Sequence, residues 1–400
     1  MNLTTVKEAI DIILNSSENF GIEEVDFINS LGRVLKEDII ADRDFPPFDR
    51  VSMDGIAIND EAFNSGQKTF KIEGVQAAGS EQLTMQNSKN CIEAMTGAVL
   101  PKNTNVVIQY ELLNIENGEA TINLDTVKNF QNIHKKGLDR KQGDVLIHKD
   151  TLISAAEIGV LATVGKSTVK VAKQPKVMII STGNELVEVD EIPAEHQIRR
   201  SNVYTLVSLL ENLNIKAETA HILDDKEVLL SKIESFLNNY DVLLFSGAVS
   251  KGKFDFIPEV LNTLGVEKLF HKVKQRPGKP FWFGKKADKT VFAFPGNPVS
   301  TFVSCLKYFT PWYLKSVGLD IESNEEAVLS EDFFFKPGLT YFLQVKLKRE
   351  NGVLVAIPVS GKGSGDLANL VDSDAFLELP DDRSNFTKGE VFPILSYRSF

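Results

Sequence analysis

Residues 177–186, VMIISTGNEL, join a short apolar run to a polar segment that contains a glycine. The same pattern returns at residues 242–250 (VLLFSGAVS) and 291–300 (VFAFPGNPVS). Such runs are typical of strands that are buried on both faces. Helical patterns lie between them, over residues 202–213 and after Asp224 and Asp225, which are good helix-capping residues. Repeated strand–loop–helix units predict an α/β domain with a mostly parallel sheet.

The rest of the 400-residue chain differs from this α/β region in its pattern of apolar and turn residues. An amphipathic helical pattern opens the chain, and short strand-like runs separated by Gly and Asn turns fill residues 45–146. Strand-like runs return after residue 319 and predict a small antiparallel β domain. The expected fold class is therefore multi-domain α/β plus β, with a mixed, β-rich N-terminal half, a central α/β domain and a C-terminal β domain.

Composition and charge exclude several classes of protein. The net charge of −11 argues against binding nucleic acid or an anionic membrane through bulk charge. The N-terminus has no cationic segment leading into an apolar core, and no apolar run reaches the roughly 18 residues of a membrane span. Cys91 and Cys305 stand far apart, which rules out a disulfide framework and favours a reducing compartment. We expect a cytoplasmic protein without nucleic-acid or membrane partners.

Polar, glycine-rich segments follow the strands of the α/β region, where ligands of parallel sheets bind. Small residues there let backbone N–H groups approach an anion. Arg276 and Lys279, in the segment KQRPGKP, would add a cationic clamp, so that the ligand is expected to be extended and phosphorylated. The candidate ligand-binding residues are Ser181, Thr182, Gly183, Ser246, Gly247, Ser250, Gly252, Pro295, Gly296, Asn297, Pro298 and Ser300.

Three carboxylates accompany these segments: Glu185, Asp224 and Asp255. Each alone is more often a helix cap. Three converging beside a phosphate site are better explained by a divalent cation, because Mg²⁺ takes a few carboxylates together with phosphate oxygens and water. No histidine pair with zinc-ligand spacing occurs, and Gly361, Gly363 and Gly365 are spaced as in a flexible loop rather than a dinucleotide site.

Taken together, these segments resemble the molybdopterin molybdenumtransferases of the MoeA type and are similar to the C-terminal domain of gephyrin. The matching stretches run in the family's order and cover nearly the whole chain. They are PPFDRVSMDG, TGAVLP, ISTGNEL, SNVYTL, SGAVSKGKFD, RPGKP, FPGNPVS and GSGDLANL.

The resemblance implies an elongated homodimer whose active cleft combines the molybdopterin-binding α/β domain with the partner's N-terminal β lobe. It implies that molybdate is inserted into the dithiolene of adenylylated molybdopterin with Mg²⁺ assistance, and that AMP is released. An upstream molybdopterin adenylyltransferase is a possible partner. The implied domains are an elongated, discontinuous N-terminal domain (1–44 and 140–174), a β-rich lobe (45–139), the α/β domain (175–318) and a C-terminal β domain (319–400).

Site residues carried over by motif position fall into three groups. Asp54 and Thr96 resemble the functional residues of the N-terminal lobe, and Asp139 matches a further acidic position less securely. Glu185, Asp224 and Asp255 resemble the acidic set that supports metal binding and the handling of water or molybdate. The basic group that would hold molybdate and phosphate is Lys272, Arg276 and Lys279.

The chain departs from the family pattern at four positions: Ala248, Arg276, Ile56 and Lys136. Ala248 stands where the family usually has a glycine. Arg276 stands where the family usually has a lysine, so that a planar guanidinium replaces the point charge of an ammonium group. Either change could shift the preference between molybdate and tungstate. Two alternatives stay open, a molybdopterin adenylyltransferase and a catalytically weak molybdopterin-binding scaffold. The first predicts a GGTG-type loop where this chain has SGAVS, and the second would lean on a further domain or a long linker.

Overall fold

The computed structural model describes residues 3–247, 256–319, 325–336, 338–361 and 363–398. Its helices are α1 (Val6–Asn15), α2 (Asp60–Asn64), α3 (Ala155–Thr163), α4 (Asn202–Glu211), α5 (Lys226–Asn239), α6 (Ile257–Thr263), α7 (Pro298–Ser304), α8 (Thr310–Ser316) and α9 (Asn369–Asp372), with a π-helical turn at Cys305–Phe309. None of the helices in these ranges has both the length and the apolarity that a membrane crossing requires.

The strands are, in chain order, β1 (Ile22–Asp26), β2 (Ile39–Ile40), β3 (Arg50–Val51), β4 (Gly55–Ile58), β5 (Thr69–Gln76), β6 (Asn90–Ala94), β7 (Val106–Gln109), β8 (Leu113–Glu116), β9 (Glu119–Ile122), β10 (Ile133–His134), β11 (Val145–Ile147), β12 (Thr168–Ala172), β13 (Val177–Thr182), β14 (Leu186–Val187), β15 (Ile198–Arg199), β16 (Ala217–Ile222), β17 (Val242–Ser246), β18 (Glu267–His271), β19 (Gln275–Arg276), β20 (Trp282–Lys286), β21 (Lys289–Phe294), β22 (Glu326–Leu329), β23 (Phe333–Phe334), β24 (Thr340–Glu350), β25 (Val353–Pro358), β26 (Ala375–Leu379), β27 (Asn385–Phe386) and β28 (Val391–Ser396).

The chain forms two compact units. One contains residues 1–36, 150–154 and 169–400, and the other contains residues 37–149 and 155–168. The second unit is built on a six-stranded sheet in the order β7–β4–β6–β5–β9–β8, whose core includes Ile56, Phe70 and Ile108. The four-domain division given above stays a prediction.

The larger unit holds the predicted α/β domain. Its sheet has the order β16–β13–β17–β21–β20–β18. The first four strands are parallel to one another, β20 runs antiparallel to both of its neighbours, and β18 therefore runs in the same direction as the first four. Alternate residues of β13 enter two different cores: Val177 and Ile179 pack with α4 and α7, whereas Met178 and Ile180 pack with α5 and α6. Burial on both faces explains why these strands read as unbroken apolar runs.

The C-terminal strands close into a small barrel in the order β24–β25–β22–β28–β26, with β26 pairing back to β24. The expectation of a purely antiparallel domain is wrong, because β22 runs parallel to β25. Alternation of apolar residues cannot reveal this, since it fixes the face of a strand and not its direction. The short strand β19 adds to β24 in parallel and sets Arg276 opposite Tyr341.

Candidate functional site

The carboxyl ends of β13, β17 and β21 border a cavity of about 170 Å³, which we call the strand-end cavity. The strands run in register, so that Ser181 lies opposite Ser246 and Ser246 lies opposite Phe294. The cavity is lined by Ser181, Thr182, Glu185, Leu186, Ile198, Arg199, Arg200, Ser201, Asn202, Val203, Ser246, Gly247, Gly296, Asn297 and Pro298. Seven of the predicted ligand-binding residues and the predicted acid Glu185 therefore share one cavity.

Other predicted ligand-binding residues lie beside this cavity without lining it. The Pro295 carbonyl accepts a hydrogen bond of 2.5 Å from the Thr301 hydroxyl, and Ser300 is buried within α7. Gly183 belongs to the loop that carries Glu185. The remaining residues singled out from the sequence lie outside the described ranges and are Ala248, Ser250, Gly252 and Asp255.

Small residues give the strand-end cavity its room. A Cβ on Gly296 would come within 3.3 Å of the Gly247 Cα, so side chains at this point would narrow the space between the two strand ends. The Asn202 amide donates to the Gly296 carbonyl at 2.8 Å and holds that loop against the start of α4. The backbone here can thus approach a ligand closely.

Glu185 and Asp224 form an acidic pair. Gly183 has φ +135°, and a Cβ at this position would collide with the Glu185 carboxylate, which folds back over the loop. Burial raises the pKa of Asp224 above its ordinary value, and the nearby negative charge of Glu185 raises it further. Two carboxylates in this arrangement repel each other, and a cation between them would relieve the repulsion.

The neighbouring Asp225, and not Asp224, caps the helix α5. Its carboxylate accepts hydrogen bonds of 3.0 Å from the backbone N–H groups of Glu227 and Val228. The backbone N–H of Asp224 instead donates to the Asn184 side chain at 3.1 Å. The capping alternative for Asp224 is thereby removed, and its carboxylate is available to a ligand.

Sequence reasoning missed His221 and two arginines. The His221 Nδ1 lies 3.1 Å from the Ser181 hydroxyl, and its Nε2 is buried without a partner among the described residues. Arg199 and Arg200 line the strand-end cavity directly before α4. The sequence feature that could have revealed the two arginines is their adjacent position directly before a helix that follows a polar loop.

A second cavity of about 340 Å³, here called the barrel cavity, lies between the KQRPGKP loop and the C-terminal barrel. It is lined by Arg276, Pro277, Val299, Tyr341, Phe342, Gln344, Val359, Gly361, Gly363 and Ser364. Of the predicted basic group, Arg276 alone appears in this lining. Gly361, Gly363 and Ser364, from the segment interpreted as a flexible loop on the sequence alone, thus form part of a cavity wall.

The two cavities adjoin each other at the start of α7. Asn297 and Pro298 line the strand-end cavity, and Val299 lines the barrel cavity. The Val299 N–H donates to the Ser364 carbonyl at 3.2 Å, and the Asn297 amide donates to the Ser364 hydroxyl at 2.7 Å. Asn297 occupies the expected N-cap position, but its side chain makes this contact instead of capping the helix.

The predicted basic residues lie on the segment between β18 and β20, which includes the short strand β19 and is held at both ends by backbone hydrogen bonds. The Lys272 N–H donates to the Phe281 carbonyl at 2.8 Å, and the Val273 N–H donates to the Lys279 carbonyl at 2.9 Å. Within the described ranges, Lys272, Arg276 and Lys279 form no ion pair with a carboxylate. The guanidinium of Arg276 lies 5.7 Å from the centre of the Phe335 ring. These cations are therefore available to an anion.

In the smaller unit, the structure joins the two predicted residues of the β-rich lobe. The Thr96 backbone N–H donates to Asp54 Oδ1 at 2.6 Å. This hydrogen bond, and then one from the Thr96 side chain, lowers the pKa of Asp54 below its ordinary value. Asp54 is exposed to solvent and ionised at neutral pH.

The other residues of this unit that the sequence analysis named are Asp139, Lys136 and Ile56, which form local contacts within the unit. Asp139 lies 2.8 Å from the His134 Nε2, and the Lys136 backbone N–H donates to the Asp49 carboxylate at 2.8 Å. Ile56 is fully buried in the sheet core, so the departure at that position concerns packing.

Three family models match the chain. The MoeA N-terminal region (domain I and II) matches residues 4–165, the probable molybdopterin binding domain matches residues 178–315, and the MoeA C-terminal region (domain IV) matches residues 326–397. Together they cover most of the chain and include both cavities.

Relatives and solved structures match over nearly the full length. A molybdopterin molybdenumtransferase from Synechocystis is 40% identical over 99% of this chain and 100% of its own, and one from Staphylococcus aureus is 31% identical over 98% and 96%. The crystal structure of a molybdopterin biosynthesis MoeA protein from Pyrococcus horikoshii matches with a TM-score of 0.83, 30% identity and coverage of 99% and 100%. The fold class expected from the sequence is confirmed. The chain belongs to the MoeA family of molybdopterin molybdenumtransferases, and it is a transferase of molybdenum cofactor biosynthesis.

Proposed function

We propose that the reaction of this chain uses adenylylated molybdopterin as substrate, releases AMP when molybdate is inserted, and depends on Mg²⁺. The observation that carries the proposal is the strand-end cavity, where hydroxyl and backbone groups from three parallel strands meet beside an acidic pair. Phosphorylated ligands bind at this end of α/β sheets because N–H groups and hydroxyls there surround the anion.

The substrate's phosphates would bind within this cavity. The Ser181 and Ser246 side chains stand side by side at the strand ends, and Thr182 continues the first of these strands. Gly247 and Gly296 leave the backbone open to close approach. Asn297 and Pro298, at the start of α7, would hold the part of the substrate nearest to the barrel cavity.

The acidic pair fits a magnesium ion. Mg²⁺ is commonly bound by one or two carboxylates, with substrate phosphates and water as the other ligands, and Glu185 and Asp224 supply two. No cluster of three or more His, Cys, Asp or Glu ligands occurs in the described ranges, so a complete protein cage is not available there. When bound, the ion would neutralise charge on the phosphoanhydride that is to be broken. Asp255, the third predicted ligand, stays a prediction.

The molybdate substrate would bind in the barrel cavity. Arg276 supplies a cation with several N–H donors, and Lys272 and Lys279 lie on the same loop. Ser364 adds a hydroxyl, and Gly361 and Gly363 also line this cavity. Because the two cavities adjoin at Asn297–Val299, an oxyanion in one would lie beside the pterin ligand in the other.

We further propose that Asp54 takes part in the reaction, that the chain is a homodimer, and that it acts in the cytoplasm on substrate received from an upstream adenylyltransferase. The exposed Asp54 carboxylate, kept ionised by Thr96, supports the first point. Both cysteines are buried and unpaired, which suits a reducing compartment. The remaining points rest on the resemblance described above.

The experiment incubates purified protein with adenylylated molybdopterin, Mg²⁺ and molybdate, and follows AMP by chromatography. AMP is expected only after molybdate is added, and the rate is expected to fall in Ser246→Val, which blocks the strand-end cavity. A matched control is Ser235→Val, an exposed serine on α5. AMP formation that ignores molybdate, or ATP consumption in its place, would overturn the proposal.

A further inference from the structure

Arg200 is a buried cation whose hydrogen-bonding groups are incompletely satisfied. Its side chain is 7% exposed and lines the strand-end cavity. Nη1 pairs with the Glu188 carboxylate, which is 46% exposed and also lies 3.4 Å from the Tyr204 hydroxyl. Nε is buried and has no acceptor within the described part of the chain. A buried guanidinium with five N–H donors gains from any further acceptor that reaches it.

A small ribbon fixes the position of Arg200. Strands β14 and β15 pair in parallel, and the Arg200 N–H donates to the Val187 carbonyl at 3.0 Å. The Ile198 N–H donates to the Glu185 carbonyl at 2.8 Å, so the same ribbon carries an acid of the cavity. The cation is therefore held at the cavity wall by backbone hydrogen bonds before any ligand arrives.

The start of α4 adds to the positive potential at this point. This helix has ten residues, and its N-cap residue, Ser201, makes no side-chain capping bond. No acidic residue occupies its first turn, and the Asn202 side chain is turned towards the Gly296 carbonyl. The free N–H groups of a helix start favour an anion. Helix start and buried arginine thus point to the same part of the cavity.

We propose that Arg200 and the first turn of α4 bind a phosphate group of the pterin nucleotide substrate, and that Arg200 exchanges its Glu188 partner for that phosphate. This inference rests on the proposed function, which supplies the phosphorylated ligand, and it adds a residue that the sequence did not single out. A planar guanidinium can form paired hydrogen bonds to phosphate oxygens, and a bound phosphate would take the place of the partly exposed Glu188 carboxylate on Arg200.

The test measures binding of AMP to the full-length protein by titration calorimetry. Arg200→Met should weaken AMP binding about 10- to 100-fold, the range expected for a hydrogen-bonded charge. Arg200→Lys keeps the positive charge but not the planar guanidinium. Its affinity for AMP should lie between that of the wild type and that of Arg200→Met. Glu188→Gln should tighten AMP binding about 3- to 10-fold, because the competing carboxylate is removed. Adenosine, which has no phosphate, should bind to the wild type and to each variant with the same affinity.

Arg33→Met is the matched control. Arg33 is also mostly buried, pairs with the partly exposed Glu23, and is not among the cavity residues. Glu188→Gln keeps the inference falsifiable if Arg200→Met does not fold, since Glu188 is exposed. Wild-type affinity for AMP in folded Arg200→Met, no change in Glu188→Gln, or no binding of AMP by the wild type would overturn the inference. Failure of the wild type to release AMP on adding molybdate would instead overturn the proposed function.

Discussion

The Asn297 side-chain amide donates a hydrogen bond to the Ser364 hydroxyl across 2.7 Å, and so joins the start of α7 to the loop between β25 and α9. Asn297 lines the strand-end cavity and Ser364 lines the barrel cavity. Together with the backbone hydrogen bond from the Val299 N–H to the Ser364 carbonyl, this contact connects the walls of the two cavities. If pterin ligand and molybdate occupy them as proposed, this contact sets the distance between the reacting groups.

Breaking this contact should slow the reaction with little effect on folding. Ser364→Ala and Asn297→Ala are each expected to lower the rate of molybdate-dependent AMP release, and the double variant should lose less than the product of the two effects. The coupling should be on the order of 1 kcal/mol, as for one hydrogen bond. Ser384→Ala, in another loop of the C-terminal region, is the control. Fully independent effects would show that the contact does not couple the cavities.

The acidic pair should give the enzyme a pH-dependent need for Mg²⁺. The pKa of Asp224 is raised by burial and by Glu185, so protons compete with the cation as the pH falls towards that pKa. The concentration of Mg²⁺ that gives half-maximal AMP release should therefore rise with falling pH. Asp224→Asn should raise this half-maximal Mg²⁺ concentration roughly tenfold or more and should remove its dependence on pH. Asp225→Asn preserves the helix cap and should leave it unchanged. A similar rise in both variants would contradict the assignment.

The same pKa shift predicts a stability effect in metal-free protein. A carboxyl whose pKa is higher in the folded state than in the unfolded chain contributes stability below the unfolded value, and this contribution is lost as the pH rises through the folded value. Asp224→Asn should therefore raise the melting temperature at neutral pH without Mg²⁺. This gain should disappear about one pH unit or more below the ordinary aspartate pKa of 3.8, where the wild-type carboxyl is protonated in both states. Melting curves at the two pH values check this, and a lower melting temperature at neutral pH would contradict it.

Replacing the side chain of Asp54 should slow AMP release far more than replacing the side chain of Thr96. The hydrogen bond that most lowers the Asp54 pKa comes from the Thr96 backbone, which a side-chain substitution retains. Asp54→Asn should lower the rate of AMP release about a hundredfold, the low end for loss of a positioned acid or base, whereas Thr96→Ala should cost only a few-fold. Glu61→Gln is an exposed control in the same unit. Equal losses in the two variants would mean that Thr96 acts through its hydroxyl.

Arg276 should set the affinity for the oxyanion. Arg276→Ala should raise the half-saturating molybdate concentration about tenfold or more, through the loss of a charge-assisted contact. Arg276→Lys should recover part of this and change the ratio of molybdate to tungstate use, because a point charge replaces a planar fork. Arg383→Lys, a partly exposed position between β26 and β27, serves as the control. If the alanine variant keeps its molybdate dependence, the barrel cavity is not the oxyanion site.

Much of the fold could be predicted because the physical signal is local. The apolar runs of β13, β17 and β21 predict strands buried on both faces, and the Asp224–Asp225 pair and Asn297 predict helix starts. The parallel pairing of β22 with β25 could not be predicted, since strand direction depends on distant partners. The same holds for β20 and β18, whose antiparallel pairing at the sheet edge has no local signature.

The candidate site was predictable where it follows strand ends, and not where the chain folds back onto it. Ser181, Ser246 and Gly296 meet because parallel strands end together. Arg200 reaches the cavity only through the ribbon of β14 and β15, and Ser364 only through the barrel. The choice between Asp224 and Asp225 as helix cap likewise depends on backbone geometry that two adjacent aspartates do not encode.

The central claim is tested most directly by a single turnover. Protein loaded with a known amount of adenylylated molybdopterin receives molybdate and Mg²⁺, and AMP and active molybdenum cofactor are measured in the same sample, the latter by reconstitution of a molybdenum enzyme. The account predicts one AMP for each cofactor formed, with neither product in the absence of molybdate. Active cofactor without AMP, or AMP without molybdate, would contradict it.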